Sequence, residues 1–168
     1  MIVLIGFMGA GKTTIGRLVA TRLGLPFVDS DAVIEEREGR SVREIFASEG
    51  EAAFRRIERV TVLDLLGRDE AVLALGGGAV EDPQTRAAVA RATTVHLVVS
   101  MERVRARVGS DPRRPLSGAD LEHLLERRRP HYDEAATVRV VSDDRPARLV
   151  ADEVVAKLSS VPGAAGQG

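Results

Sequence analysis

Compact apolar runs along this chain alternate with stretches in which apolar side chains return every three or four residues. The runs are Ile2 to Ile5, Pro26 to Asp29, Ala71 to Leu75, Thr94 to Val99 and Thr137 to Val141. Short, rich in branched side chains and bounded by polar or glycine positions, they read as buried strands. Between them the period lengthens. Ile15, Leu18, Val19, Arg22 and Leu23 mark a helix that Gly24 and Pro26 stop. Asp31 offers a cap for a helix through about Glu38, which Gly39 ends. Ser41-Val-Arg-Glu44 is a capping box for a short helix. Ala53, Ile57, Val60, Leu63 and Leu66 predict the apolar face of a longer helix that ends at Gly67. Asp82-Pro83 starts a helix to about Arg91, Ser100 caps one to about Val108, another runs to about Arg129 before Pro130 interrupts it, and Pro146 to Leu158 is the last.

Strands alternating with helices predict an α/β fold, a parallel sheet covered on both faces. In such sheets ligands bind beyond the carboxyl ends of the strands. That edge collects the unusual residues: a glycine-rich loop at 6–13, Asp29 and Asp31 after the second strand, and Gly76-Gly77-Gly78 after the third.

The loop is Gly-Phe-Met-Gly-Ala-Gly-Lys-Thr, the phosphate-binding pattern G-x-x-x-x-G-K-[ST] between a strand and a helix. Its backbone N–H groups can line a phosphate, and the helix that follows aims its positive end there. Lys12 reaches the β- and γ-phosphates, and the Thr13 hydroxyl suits Mg2+. Lys12 is one of only two lysines among 24 basic residues. The alternative is a chance glycine turn, which the flanking strand and helix disfavour.

Composition narrows the setting. A chain of 168 residues with 44% apolar and 29% charged positions is expected to form one domain, 1–158, followed by a disordered tail at 159–168. A net charge of −1 and 3% aromatics give no reason to expect nucleic-acid or membrane binding. No cysteine is present, which removes thiolate chemistry and suits a cytoplasmic protein. The N-terminus runs straight into a strand, so no cleavable signal is expected.

Of the carboxylates Asp29 and Asp31, one suits a hydrated cation and the other can accept a proton from an attacking hydroxyl, although Asp31 can also serve only as a cap. The triple glycine lets a ligand approach the backbone, or is a plain turn. Arg55, Arg113, Arg114 and the run Arg127-Arg128-Arg129 are candidate anion partners in a chain where most arginines are solvated. A mobile Arg114 could close over phosphates. His96, inside a strand, reads as structural.

Taken together, Gly6 to Thr14, Asp29-Ser-Asp31, Phe54-Arg55-Arg-Ile-Glu58, Leu75-Gly-Gly-Gly78, Arg114-Pro-Leu116 and Arg128-Arg-Pro-His-Tyr132 resemble the shikimate kinase family, in its order and over residues 1 to about 158. The resemblance implies a five-stranded sheet of order 2-3-1-4-5, like nucleoside-monophosphate kinases, with a lid at about 109–117. It implies ATP-dependent phosphorylation of the shikimate 3-hydroxyl, a step toward chorismate, with one Mg2+ per subunit. ATP would be bound by Gly9, Ala10, Gly11, Lys12, Thr13, Thr14, Arg107 and Arg114, and the metal by Thr13 and Asp29. Shikimate would be held by Asp31, Arg55, Gly76, Gly77, Gly78 and Arg128. Asp31, Lys12 and Arg114 would be catalytic, with Asp31 as base. ATP and shikimate are the expected partners of a monomer. Ser117 stands where the family often has a second leucine, and Asp144-Arg145-Pro146 follows its pattern only loosely. The rival readings are a kinase of another polyol acid, such as gluconate, and a nucleotide-dependent switch without an acceptor.

Overall fold

The computed structural model describes residues 1–108 and 118–161, with the side chains of 107, 108 and 118 outside that description. Strands β1 (Ile2–Ile5), β2 (Phe27–Asp29), β3 (Val72–Ala74), β4 (Thr93–Val98) and β5 (Val138–Val141) form one parallel sheet of order β2-β3-β1-β4-β5. Helices α1 (Lys12–Leu23), α2 (Ser30–Glu38), α3 (Val42–Leu66), α4 (Pro83–Val89), α5 (Met101–Val108), α6 (Gly118–Ala135) and α7 (Ala147–Ser159) connect and flank it. Every residue of β1 and β3 is buried, as strands covered on both faces must be. Val3, Leu4, Leu73, Val95 and Leu97 form the centre of the core.

Four expectations change. Asp29, not Asp31, caps α2: it keeps extended angles, and its side chain accepts from the Asp31 N–H at 3.1 Å. Ala53 is buried as expected and Ile57 and Leu66 are half-buried, but the rest of the buried face of the long segment of α3 is Phe54, Glu58, Thr61, Val62 and Leu65, while Val60 and Leu63 are exposed. Apolar spacing misled there because two polar residues, Glu58 and Thr61, occupy buried positions. Pro130 does not end α6, which continues to Ala135. The missing N–H costs one helical bond, and Tyr132 and Ala135 beyond it are buried in the core. The start of the expected tail belongs to α7, which reaches Ser159, and Val161 packs partly buried against the core. Residues 162–168 and the expected lid at 109–117 lie outside the described residues, with Arg113 and Arg114.

Elsewhere local signals match. The capping box of Ser41 and Glu44 is formed, and Gly50, at φ 80° and ψ 172°, breaks α3 into the expected short and long segments. No helix among the described residues is long and apolar enough to cross a membrane.

His96 lies on β4, its side chain 8% exposed, with its ring 4.9 Å from that of Tyr132. Burial pushes its pKa down to about 4 from 6.5, against the partial support of Asp133. The unfolded chain therefore binds more protons between those two values, so folding stability falls as pH drops through that window. The loss expected from this residue is about 2 kcal/mol by pH 5. Urea unfolding of the parent and of His96→Leu at pH 7 and pH 5 measures it: the variant should lose less on acidification, and equal losses would refute the assignment.

Candidate active site

Glycine geometry shapes the loop between β1 and α1. Gly6 has φ 146°, and a Cβ there would lie 2.5 Å from the Leu97 carbonyl oxygen of the neighbouring strand, so a side chain is sterically refused. Gly11, left-handed at φ 85°, hands the chain into α1 at Lys12. The Lys12 ammonium arches back and donates to the carbonyls of Gly6 at 2.7 Å and Phe7 at 3.1 Å. It thus holds a positive charge over the loop whose N–H groups open α1.

Across from the loop, the ends of β2 and β3 bring the acidic residues in. Thr13 Oγ1 donates to Asp29 Oδ2 at 2.8 Å, while the other Asp29 oxygen caps α2. The buried Ser30 hydroxyl accepts from the Gly76 N–H at 3.1 Å and fastens β2 to the glycine turn. Both Asp31 Oδ1 and Glu58 Oε1 would stand 2.7 Å from a Cβ at Gly76, so two carboxylates converge where that glycine leaves room. Burial raises the Glu58 pKa; Arg55 opposes this and Asp31 reinforces it.

The arginines of interest lie further along. Arg55 donates to Glu58 at 2.6 Å and to Glu51 at 3.2 Å, and its guanidinium sits 5.4 Å from the Phe54 ring centre and 6.0 Å from that of Phe46. A Cβ on Gly78 would collide with that guanidinium. Of the Arg127-Arg128-Arg129 run, Arg128 alone is buried, 5% exposed, and its guanidinium lies 5.8 Å from the Phe7 ring centre. Arg127 is half exposed but not simply solvated, since it pairs with Glu81 at 2.8 Å.

These residues line two cavities. One, of about 510 Å³, holds Gly9 to Thr14 and Asp29, and ends at Ser142, Arg145 and Ala147. The other, of about 440 Å³, holds Val42, Phe46, Glu51, Phe54, Arg55, Glu58, Gly78, Leu124, Arg127 and Arg128. Met8, Asp31, Gly76 and Gly77 line both and form their common wall. A pocket lined by the glycine-rich loop and Lys12 and a pocket lined by arginines thus meet at Asp31, an arrangement that suits transfer between two bound molecules.

Every expected site residue with a described side chain lines one cavity or both; the Arg107 and Arg114 side chains lie outside the described set. The Asp144-Arg145-Pro146 segment noted in the sequence supplies Arg145 to the end of the first cavity; sequence reading missed the apolar wall of Val42, Phe46 and Leu124, the burial of Tyr132, and Glu81. The Tyr132 hydroxyl donates to the Gly77 carbonyl, and burial raises its pKa. A polar residue predicted at a core-facing helical position is the signal that could have found Tyr132. Nothing local marks Glu81.

Comparison with known proteins agrees with this geometry. The family model described as shikimate kinase matches residues 8–159. A shikimate kinase from Salinispora tropica is 48% identical over 162 residues, covering 94% of this chain and 97% of the relative. The structure of shikimate kinase from Acinetobacter baumannii in complex with shikimate superposes with a TM-score of 0.91 at 38% identity, covering 95% and 92% of the two chains. A gluconokinase from Sinorhizobium meliloti, at 22% identity and a TM-score of 0.59 over 95% and 91%, shares the fold alone. With the family model covering residues 8–159, which include Lys12, Thr13, the acidic pair and the lining of both cavities, the chain belongs to the shikimate kinase family.

Proposed function

We propose that this chain transfers the γ-phosphoryl group of ATP to the 3-hydroxyl of shikimate, giving shikimate 3-phosphate and ADP on the route to chorismate. The observation that carries the reading is the wall shared by the two cavities, with Asp31 in it, the phosphate loop on one side and Arg55 and Arg128 on the other. Shikimate has one carboxylate and three hydroxyls. Guanidinium forks match the carboxylate, and a carboxylate such as Asp31 accepts from hydroxyls.

In this reading Lys12, with the N–H groups of Gly9 to Thr14, holds the phosphates. Arg55 and Arg128 hold the acid, and Gly76 to Gly78 admit the ring close to the backbone. Asp31 orients the 3-hydroxyl and takes its proton as the bond to phosphorus forms. The oxygens of Thr13 and Asp29, 2.8 Å apart, suit a hard cation. Among the described residues no cluster of three or more His, Cys, Asp or Glu stands ready to enclose an ion. That fits Mg2+, which takes few protein ligands and completes its shell with phosphate and water. When bound it would offset charge on the β- and γ-oxygens. One chain supplies both cavities, which supports a monomeric working unit, and the expected setting is the cytoplasm.

ADP release with ATP, Mg2+ and either shikimate or gluconate tests the reading. Shikimate-dependent release is expected; release only with gluconate, or ATP binding without acceptor-dependent release, would replace it. The arginine register has its own test. Removing one partner of a buried charge pair costs about 2–5 kcal/mol, so Arg128→Ala should raise the shikimate KM by at least about thirtyfold and leave the ATP KM nearly unchanged. Arg127 lines the same cavity but is half exposed and already paired with Glu81, so Arg127→Ala should change the shikimate KM much less. The reverse pattern would move the acid-binding role by one residue.

A further inference from the structure

The buried Arg128 is not held by the cavity it faces. Its Nε donates to Glu81 Oε1 at 2.6 Å, while the other Glu81 oxygen accepts from Arg127 at 2.8 Å. A third arginine, Arg55, stands with Nη2 4.0 Å from Glu81 Oε1. One carboxylate therefore touches or faces three guanidinium groups, all of which line the acid-binding cavity, with Arg128 next to Gly77 and Arg55 next to Gly78. Glu81 itself does not line that cavity.

Its own position is rigid. Glu81 closes the short 3-10 turn Ala79–Glu81 that follows the triple glycine, with its N–H donating to the Gly78 carbonyl at 2.9 Å. Ala79 and Val80, just before it, are each 1% exposed. Arg86 donates to the Val80 carbonyl at 2.8 Å and ties the turn to α4. Although burial disfavours its charge, Arg128 and Arg127 hold the Glu81 pKa below the ordinary range, so it is an anion at neutral pH.

The edge of the guanidinium that Glu81 takes decides what remains. With Nε engaged, the Nη1–Nη2 edge is the one that can fork a carboxylate, and this guanidinium also hydrogen-bonds the Tyr132 side chain. Nη1 is the atom of Arg128 nearest Gly77, 3.8 Å from where a Cβ would stand. That is the wall shared with the phosphate cavity.

We propose that Glu81 is a positioning residue for the acceptor. It grips Arg128 by its Nε edge from behind the cavity, turns the Nη1–Nη2 fork toward the substrate carboxylate, and bridges the chain after the triple glycine to α6. The proposal rests on reading the Arg55–Arg128 cavity as the acid-binding site. An arginine already fixed in rotamer loses less freedom when it forks a carboxylate. The benefit falls on binding of the acid rather than on the nucleotide.

The test uses Glu81→Ala, Glu81→Gln, Arg128→Ala and the Glu81→Ala/Arg128→Ala double variant. Steady-state kinetics, calorimetric titration with shikimate, and thermal melts are measured on each. Glu81→Ala should raise the shikimate KM and Kd about tenfold, the scale of coupling between contacting residues, with the ATP KM unchanged and kcat moved far less. Glu81→Gln keeps an oxygen acceptor for Nε and should recover part of the loss. In the Arg128→Ala background, removing Glu81 should weaken shikimate binding no further. Parallel rises in both KM values with a lowered Tm would mean a merely structural residue and overturn the proposal. So would a normal shikimate KM in Glu81→Ala beside a raised one in Arg128→Ala. A normal shikimate KM in Arg128→Ala itself would overturn the acid-site reading and this proposal with it.

Discussion

Lys12→Ala is expected to lower kcat by about 10²–10³, the usual cost of removing one donor aimed at charge that grows in the transition state. Phosphoryl transfer asks little covalent chemistry of the protein and much charge neutralisation. Lys12 carries the sole side-chain charge of the phosphate loop, and its ammonium is held above that loop by the carbonyls of Gly6 and Phe7. Those two bonds raise the question of folding. The loop would lose them in the variant, but its path is set independently by Gly6 against the Leu97 carbonyl and by the left-handed Gly11 at the start of α1. Ala10, buried beneath, keeps its bond to the Phe7 carbonyl at 3.2 Å. A melting temperature within a few degrees of the parent is therefore expected alongside the lost turnover, with shikimate binding intact by calorimetry. Near-parental turnover in Lys12→Ala would show that this loop is not where the transferred phosphate sits.

The fold was legible where the physics is local. Strands β1 and β3 are continuous apolar runs because both faces are covered, and the phosphate loop announces itself through glycines that serve one backbone path. The capping box at Ser41 and the break at Gly50 are likewise decided within a few residues. Legibility failed where distant contacts overrule local preference. Asp31 looked like the cap of α2, yet Asp29 takes the role because its second oxygen is already held by Thr13 from α1. The inner face of α3 was misread because Glu58 is buried to meet Arg55 and the glycine turn, and no apolar periodicity can show a carboxylate placed for that purpose. Pro130 should have stopped α6, but the packing of Tyr132 beyond it outweighs the lost bond. Glu81 was invisible for the same reason. It is an ordinary acidic residue until the sheet brings it against α6, some 46 positions away from Arg127.

Asp31→Asn is expected to keep nucleotide binding and lose about 10²–10⁴ in kcat, the contribution of a positioned general base. The structure makes this substitution cleaner than the sequence suggested. Asp29 supplies the α2 cap, so changing residue 31 leaves the helix start intact. Asparagine fills the same volume in the wall between the two cavities and can still bond a substrate hydroxyl, but it cannot take the proton. The rival for the role is Glu58, whose Oε1 faces the same Gly76 gap, is buried, and has no hydrogen-bond partner among the described residues. Two features argue against it. Its other oxygen is committed to Arg55 at 2.6 Å, and it lines only the Arg55–Arg128 cavity, whereas Asp31 lines both. A base must reach the hydroxyl that faces the phosphate, and the shared wall is where that hydroxyl would lie. Glu58→Gln should therefore act through Arg55 and fall mainly on the shikimate KM. Measured at saturating ATP and shikimate, a large kcat loss in Asp31→Asn with a small one in Glu58→Gln is the expected pair. Full turnover in Asp31→Asn would reduce that carboxylate to a positioning group, and a kcat collapse confined to Glu58→Gln would transfer the proton to its neighbour across Gly76.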